Sequence, residues 1–256
     1  MDQENPYRAS DVALADATKP NGHGCVFRSP QVLSRVTAGL LIAGIILTVL
    51  TVVAMVMLRQ ALQHAINHDL AQAELAATLQ SRGTWQVRVA SLAVLVLIAT
   101  YVAAGMWIYR IGCNVRSLGA KGIDDSPGWA VGWYFVPFMN LVRPFRAMNQ
   151  IWLASADPVR WASMSTPPLL RFWWAFWLIA NVYGSVVARL PVNQNDPAGL
   201  VQVQSVTIGS EVVDLVAKII FLVVVLRLTR SQLDQHGRMR SASQLRLEPN
   251  FPPLPS

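Results

Sequence analysis

Two stretches of the chain run without a formal charge and without a polar stripe. Val36 to Leu58 has 23 residues rich in Leu, Ile and Val, and Val89 to Tyr109 has 21. At about 1.5 Å of rise per residue, each is long enough to cross a hydrocarbon core of roughly 30 Å as a helix. Two further stretches read as spans. Phe172 to Ala188 opens beside Arg171 on the cluster Phe172, Trp173, Trp174, Phe176 and Trp177. Val206 to Leu226 closes on the apolar run Ile219 to Leu226 but contains Glu211, Asp214 and Lys218. The pattern therefore predicts an all-α polytopic membrane helix bundle with four transmembrane helices, at 36–58, 89–109, 172–188 and 206–226. About thirty-five mostly polar residues precede the first run, which does not suit a signal peptide, whose apolar region is only about 7 to 15 residues long.

Ser126 to Val142 is also uncharged over 17 residues, but Pro137 interrupts it, Gly128 and Gly132 precede that proline, and Pro144 follows. Loop charge decides how to read it. With four spans, one side carries sixteen Lys and Arg residues and the other only Arg59, Arg82, Arg88 and Arg189; a fifth span at 126–142 would reduce the split to twelve against eight. The positive-inside rule favours four spans with both termini cytoplasmic. Pro137 lacks a backbone donor and disfavours helix at Val136, so this Trp-rich segment is expected to be interfacial or re-entrant. The expected organisation is a flexible arm at 1–30, a membrane domain at 31–235 and a flexible Pro-rich tail at 236–256, in the cell (inner) membrane.

Composition supports the membrane reading: 53% of residues are hydrophobic and 14% charged, where soluble domains have about 25% charged. The net charge of +7 would invite a nucleic-acid reading if it were not mostly the mark of one membrane face, so no nucleic acid is expected as a partner. Cys25 and Cys113 lie 88 positions apart, which fits neither a metal-ligand pair nor a disulfide framework, and both thiols are expected to be reduced.

From Trp107 to Ser155 the chain reads WIYRIGCNVRSLGAKGIDDSPGWAVGWYFVPFMNLVRPFRAMNQIWLAS. Trp107 with Arg110 and Asn114, the block Ser126 to Trp133, Pro137, Asn140 with Leu141, Pro144, Met148 and Trp152 resemble the bacterial membrane family known as domain of unknown function 4328. The ending Arg227-Leu228-Thr229-Arg230-Ser231-Gln232 is similar to it as well, so the resemblance extends over roughly 31–235. Gln150 departs from the acid expected at that place. The resemblance implies a multi-pass membrane protein and supplies no activity.

The motif suggests one candidate site. Trp129 and Trp133 are four apart on one helical face, with Gly128 and Gly132 forming a small adjacent face suited to close packing. Freed backbone groups near Pro137, together with Asn140, could line a polar cavity if the element is re-entrant. Arg110, Asn114, Arg143 and Arg146 could gather around an anionic lipid headgroup. After Pro144 the apolar Phe145, Met148, Ile151 and Trp152 recur at helical spacing, as in a helix lying in the membrane interface.

The fourth span suggests another. Glu211, Asp214 and Lys218 are spaced i, i+3 and i+7, on one stripe that cannot face lipid. Asp214 precedes Lys218 by four, the favourable orientation for a pair, which leaves Glu211 to Arg189, Asn181 or water. The small residues Ala180, Gly184 and Ala188 predict that spans three and four pack closely. His64 and His68 have the i, i+4 spacing of two zinc ligands without an evident third, so neither metal nor cofactor is expected. No Walker loop, Gly-x-Ser-x-Gly elbow or dinucleotide fingerprint occurs, so no enzyme is expected. Two functions fit: a membrane scaffold or interaction protein, with a homo-oligomer or another membrane protein as partner, or a small ion or solute transporter or channel-like protein that uses the charged stripe.

Overall fold

A computed structural model describes residues 25–67, 72–191 and 197–247. These form α1 (Gln31–Asn67), α2 (Gln72–Ser117), α3 (Pro127–Gly132), α4 (Arg143–Ala156), α5 (Pro168–Val187) and α6 (Pro197–Leu247), with 3-10 turns at Trp133–Phe135, Met139–Leu141 and Trp161–Ser163. The protein is all-α, with no strand among the described residues. α1 and α2 are each long and apolar enough to cross a membrane, over Gln31–His64 and Val87–Ser117, and only 11% of the most apolar window in either is buried inside the protein. The core helix of a soluble protein would be mostly covered by its neighbours, whereas these two expose their Leu, Ile and Val side chains. Among the described residues only α1 and α2 are this long and apolar; Arg171 and Asn181 interrupt α5, and Glu211, Asp214 and Lys218 interrupt α6.

The helix ends follow local chemistry. α2 stops in a Schellman motif: Ala120 N–H donates to Val115 O at 3.1 Å and Gly119 N–H to Arg116 O at 3.0 Å, with Gly119 at φ +91°, where a side chain would be strained. α3 starts on Ser126, whose hydroxyl accepts from Trp129 N–H at 3.3 Å, followed by Pro127, whose fixed φ suits a first helical position. Beyond α3 the helix does not continue. Val136 is extended and Phe138 sits at φ +63°, ψ −38° between the two 3-10 turns. Residues 126–142 therefore form no spanning helix, as Pro137 implies. The backbone groups near Pro137 are reused locally, with Asn140 N–H on Val136 O at 2.9 Å and Met139 N–H on Pro137 O at 2.7 Å.

The described residues divide into two compact units. The first takes 25–32, 106–166 and 227–247; the second takes 33–105 and 167–226. In the first unit Trp107, Ile111, Val115, Met148, Ile151 and Leu228 are fully or almost fully buried. This corrects the reading of α4: Met148 and Ile151 face the chain's own core and not a membrane interface, because α2 and α6 supply apolar surface in the same unit. Trp107 is in that core too. Most of the two expected arms, 1–24 and 248–256, lies outside the described residues. Residues 25–30 lie packed in the first unit, with Cys25 and Pro30 buried, and α6 continues past 235 to Leu247.

In the second unit α5 and α6 pack closely, as the small-residue row predicts. A Cβ on Gly184 would touch Ser210 Oγ at 3.9 Å, and one on Gly209 would lie 2.6 Å from Tyr183 Oη. Trp173 stacks on Phe221 with ring centroids 5.0 Å apart. Gly209 is thus the tight point, accommodating the tyrosine where any side chain would collide.

Candidate functional site

The buried polar groups of the first unit form one connected knot. Asn114, without exposed surface, donates to Gln232 Oε1 and to Arg28 O, both at 3.0 Å, and accepts from Arg28 N–H at 3.1 Å. Gln232, equally buried, donates to Ile111 O and to Ser155 Oγ, each at 3.0 Å. Ser231 Oγ donates to Ser155 O at 3.0 Å. One helical turn away, Trp107 Nε1 donates to Thr229 Oγ1 at 3.0 Å. Side chains from α2, α4 and α6 and the backbone of the N-terminal segment thus satisfy one another in a place from which water is excluded, where an unmet polar group would be costly. Asn114 is therefore no headgroup ligand: its amide is committed on every side.

Cys25 and Cys113 meet beside this knot. Their sulfurs are 2.7 Å apart, and both side chains are buried. Burial, and then the neighbouring Cys113 thiol, push the Cys25 thiol up to about 11 from its model-compound 9.0, since a thiolate loses its hydration there. Sequence separation concealed this contact. Phe27 stacks flat on His236, with centroids 3.9 Å apart, so residues 25–28 touch both α2 and α6.

The tryptophan motif organises around Asp125. Trp133 Nε1 donates to Asp125 Oδ1 at 2.9 Å, Arg143 approaches the same carboxylate at 3.7 Å, and Arg116 donates to Asp125 O and to Gly112 O. The Arg143 guanidinium lies 5.1 Å from the Trp133 ring centroid, and Trp129 stacks on Trp133 at 4.6 Å. A Cβ on Gly132 would press on the Trp129 ring at 3.2 Å. The small face at Gly132 thus makes room for an indole and not for a second helix, while Gly128 has only Ser126 Oγ near it. The proposed headgroup cluster separates: Asn114 is buried, Arg143 is held by Asp125 and Trp133, Arg110 is partly exposed and Arg146 exposed. Gln150 explains its own departure. Its amide donates to Asp124 Oδ2 at 2.7 Å and accepts from Asp124 N–H at 3.2 Å, and an acid there would confront a carboxylate without a donor.

In the second unit Lys218 forms an ion pair with Asp214 and donates to Thr48 Oγ1 on α1 at 2.9 Å. Gly44, one turn before Thr48, leaves space for the lysine stem, whose Cε would lie 4.0 Å from a Cβ there. Glu211 is not joined by the residues proposed for it. Asn181 Nδ2 donates to Trp177 O at 2.7 Å, and Arg189 donates to Ser185 O at 3.3 Å. His64 lies on α1, while His68 is outside the described residues, so a test of the histidine pair lies outside them too.

These features define an all-α protein with two helices of membrane-crossing length and apolarity, and with a buried polar knot joining α2, α4 and α6. The chain belongs to the family described as Domain of unknown function (DUF4328), which matches residues 71–230. The match takes in Trp107, Asn114, Ser155 and Thr229 and stops before Gln232; Cys25 and the whole of α1 lie outside it. No curated protein and no solved structure matches the chain.

Proposed function

We propose that this is a four-span integral membrane protein with both termini cytoplasmic, acting as a non-enzymatic scaffold or interaction protein whose charged stripe holds helices together. The observation that carries the reading is the double engagement of Lys218 by Asp214 and by Thr48 on another helix. Interhelical polar contacts of this kind join helices in lipid, at about 0.6 to 2 kcal/mol each. A translocation pathway needs charges that exchange partners; this ammonium has its partners already in place. Exposed apolar side chains on the remaining faces support spans three and four, among them Ile179, Val182 and Val186 on α5 and Val212, Ile219 and Leu226 on α6. Lipid is the solvent that suits them.

The same argument extends to the motif loop. Phe135 is 77% and Phe138 82% exposed, with Leu141 and Val142 also exposed, in a segment without charge that ends on Arg143 and Arg146. Apolar tips followed by cations fit an element that dips into the interface of a bilayer containing anionic lipid. A homo-oligomer or a second membrane protein remains the partner class for the scaffold.

The test is ion and proton flux in liposomes containing the purified protein, wild type beside Asp214→Asn, with thermal stability of both measured in one detergent. No wild-type flux and a destabilised variant are expected. Flux that disappears in Asp214→Asn at unchanged stability would replace the scaffold reading with transport through the α6 stripe, where Glu211, without an ion pair among the described residues, would be the next residue to test.

A further inference from the structure

The contact between Cys25 and Cys113 is separate from the Lys218 contacts that carry the proposed function, and Cys25 lies outside the family match. Three observations place the two thiols together independently of one another. The sulfurs touch, and both are buried in the first unit. Arg28, three residues after Cys25, is held by both backbone groups on Asn114, the residue that follows Cys113. Phe27 is clamped on His236 of α6. The segment is thus in register with α2 through contacts that do not involve sulfur.

We propose that Cys25 and Cys113 are a dithiol modification site that closes to an intramolecular disulfide on reaction with a low-molecular-weight disulfide, fastening the N-terminal segment to α2. One cysteine thiolate attacks the oxidant R–S–S–R, forming a mixed disulfide and releasing R–S⁻. The second thiolate then attacks the protein sulfur of that mixed disulfide, the Cys25–Cys113 bond forms, and the second R–S⁻ leaves. Two electrons pass from the cysteine pair to the oxidant, and the two thiol protons end on the two R–SH products. A second thiol in contact with the first favours closure over a persistent adduct, because the attacking group is already in place. The ring closed would add a covalent link to a segment that, among the described residues, two hydrogen bonds to Asn114 and a ring stack on His236 hold in place.

The experiment uses the full chain, purified in detergent under reduction and then incubated with glutathione disulfide at pH 8. Intact mass should fall by two hydrogens, about 2 Da, and trypsin should release residues 9–28 joined to residues 111–116. Hydrogen exchange at the Arg28 amide should slow at least about tenfold in the oxidised protein, because opening that segment would now strain a covalent ring. Dithiothreitol should reverse all three changes. The Cys25→Ser variant, with one thiol remaining, should show no mass loss and no linked peptide. Free thiols after oxidation, a stable glutathione adduct on either cysteine in the wild type, or a disulfide-linked dimer on a non-reducing gel would each overturn the proposal.

Discussion

Asn114 shows how much a single side chain can hold when it is dry. A carboxamide has two donors and an acceptor, and here all three are used: on Gln232, on the Arg28 carbonyl and on the Arg28 amide. Asn114→Leu strands the acceptor of Gln232 and both backbone groups of Arg28, which at about 1 to 3 kcal/mol for each buried polar group left unmet is a severe change. A clear fall in the thermal midpoint is expected in detergent, and the double variant with Gln232→Leu should lose less than the sum of the two single changes. Cys25 makes a second prediction at this scale. With its pKa raised from 9.0 to about 11, the reduced thiol should react with iodoacetamide near pH 8 at least about 100-fold more slowly than an unperturbed cysteine. The sign for stability follows the same shift: the folded state favours the neutral thiol, so its contribution is complete below pH 9 and is lost as pH rises toward 11. Stability that increases across that range in the reduced protein would contradict the burial of the thiol.

Helix packing makes its own prediction at Gly209. A methyl group there would meet the Tyr183 hydroxyl, and overpacking of this kind costs about 1 to 3 kcal/mol. Gly209→Ala should lower the thermal midpoint, and adding Tyr183→Phe should recover most of the loss, since the next ring atom lies at 3.4 Å. No recovery would mean that α5 and α6 meet elsewhere. α4 carries a lesson about legibility. Its periodic apolar stripe was evident from Phe145, Met148, Ile151 and Trp152, but period alone states that a stripe needs cover, not what covers it. The Schellman end of α2 and the Ser126-Pro127 start of α3 rest on chemistry within a few residues.

For the whole molecule, the prediction concerns topology. Four spans place Arg59, Arg82, Arg88 and Arg189 opposite the sixteen other basic residues outside the spans. Cysteines introduced at Arg189 and at Arg160 should react with an impermeant maleimide from opposite sides of sealed vesicles, the Arg189 position from outside the cell and the Arg160 position from the cytoplasm. Labelling of both from one side would remove the third span.

Charge-free runs, the proline that ends the motif helix and the family resemblance could all be read from residue order, because span length, backbone donors and loop charge are local quantities. The polar knot could not. Trp107, Asn114 and Thr229 all lie in the motifs that carried the resemblance, yet nothing in their spacing shows that Trp107 meets Thr229 or that Asn114 meets Gln232, 118 positions away. The same holds for Cys25 and Cys113, and for Lys218 reaching Thr48 across 170 positions. A hydrogen bond or a thiol contact depends on distances of about 3 Å, and only the packing of helices distant in sequence sets such distances.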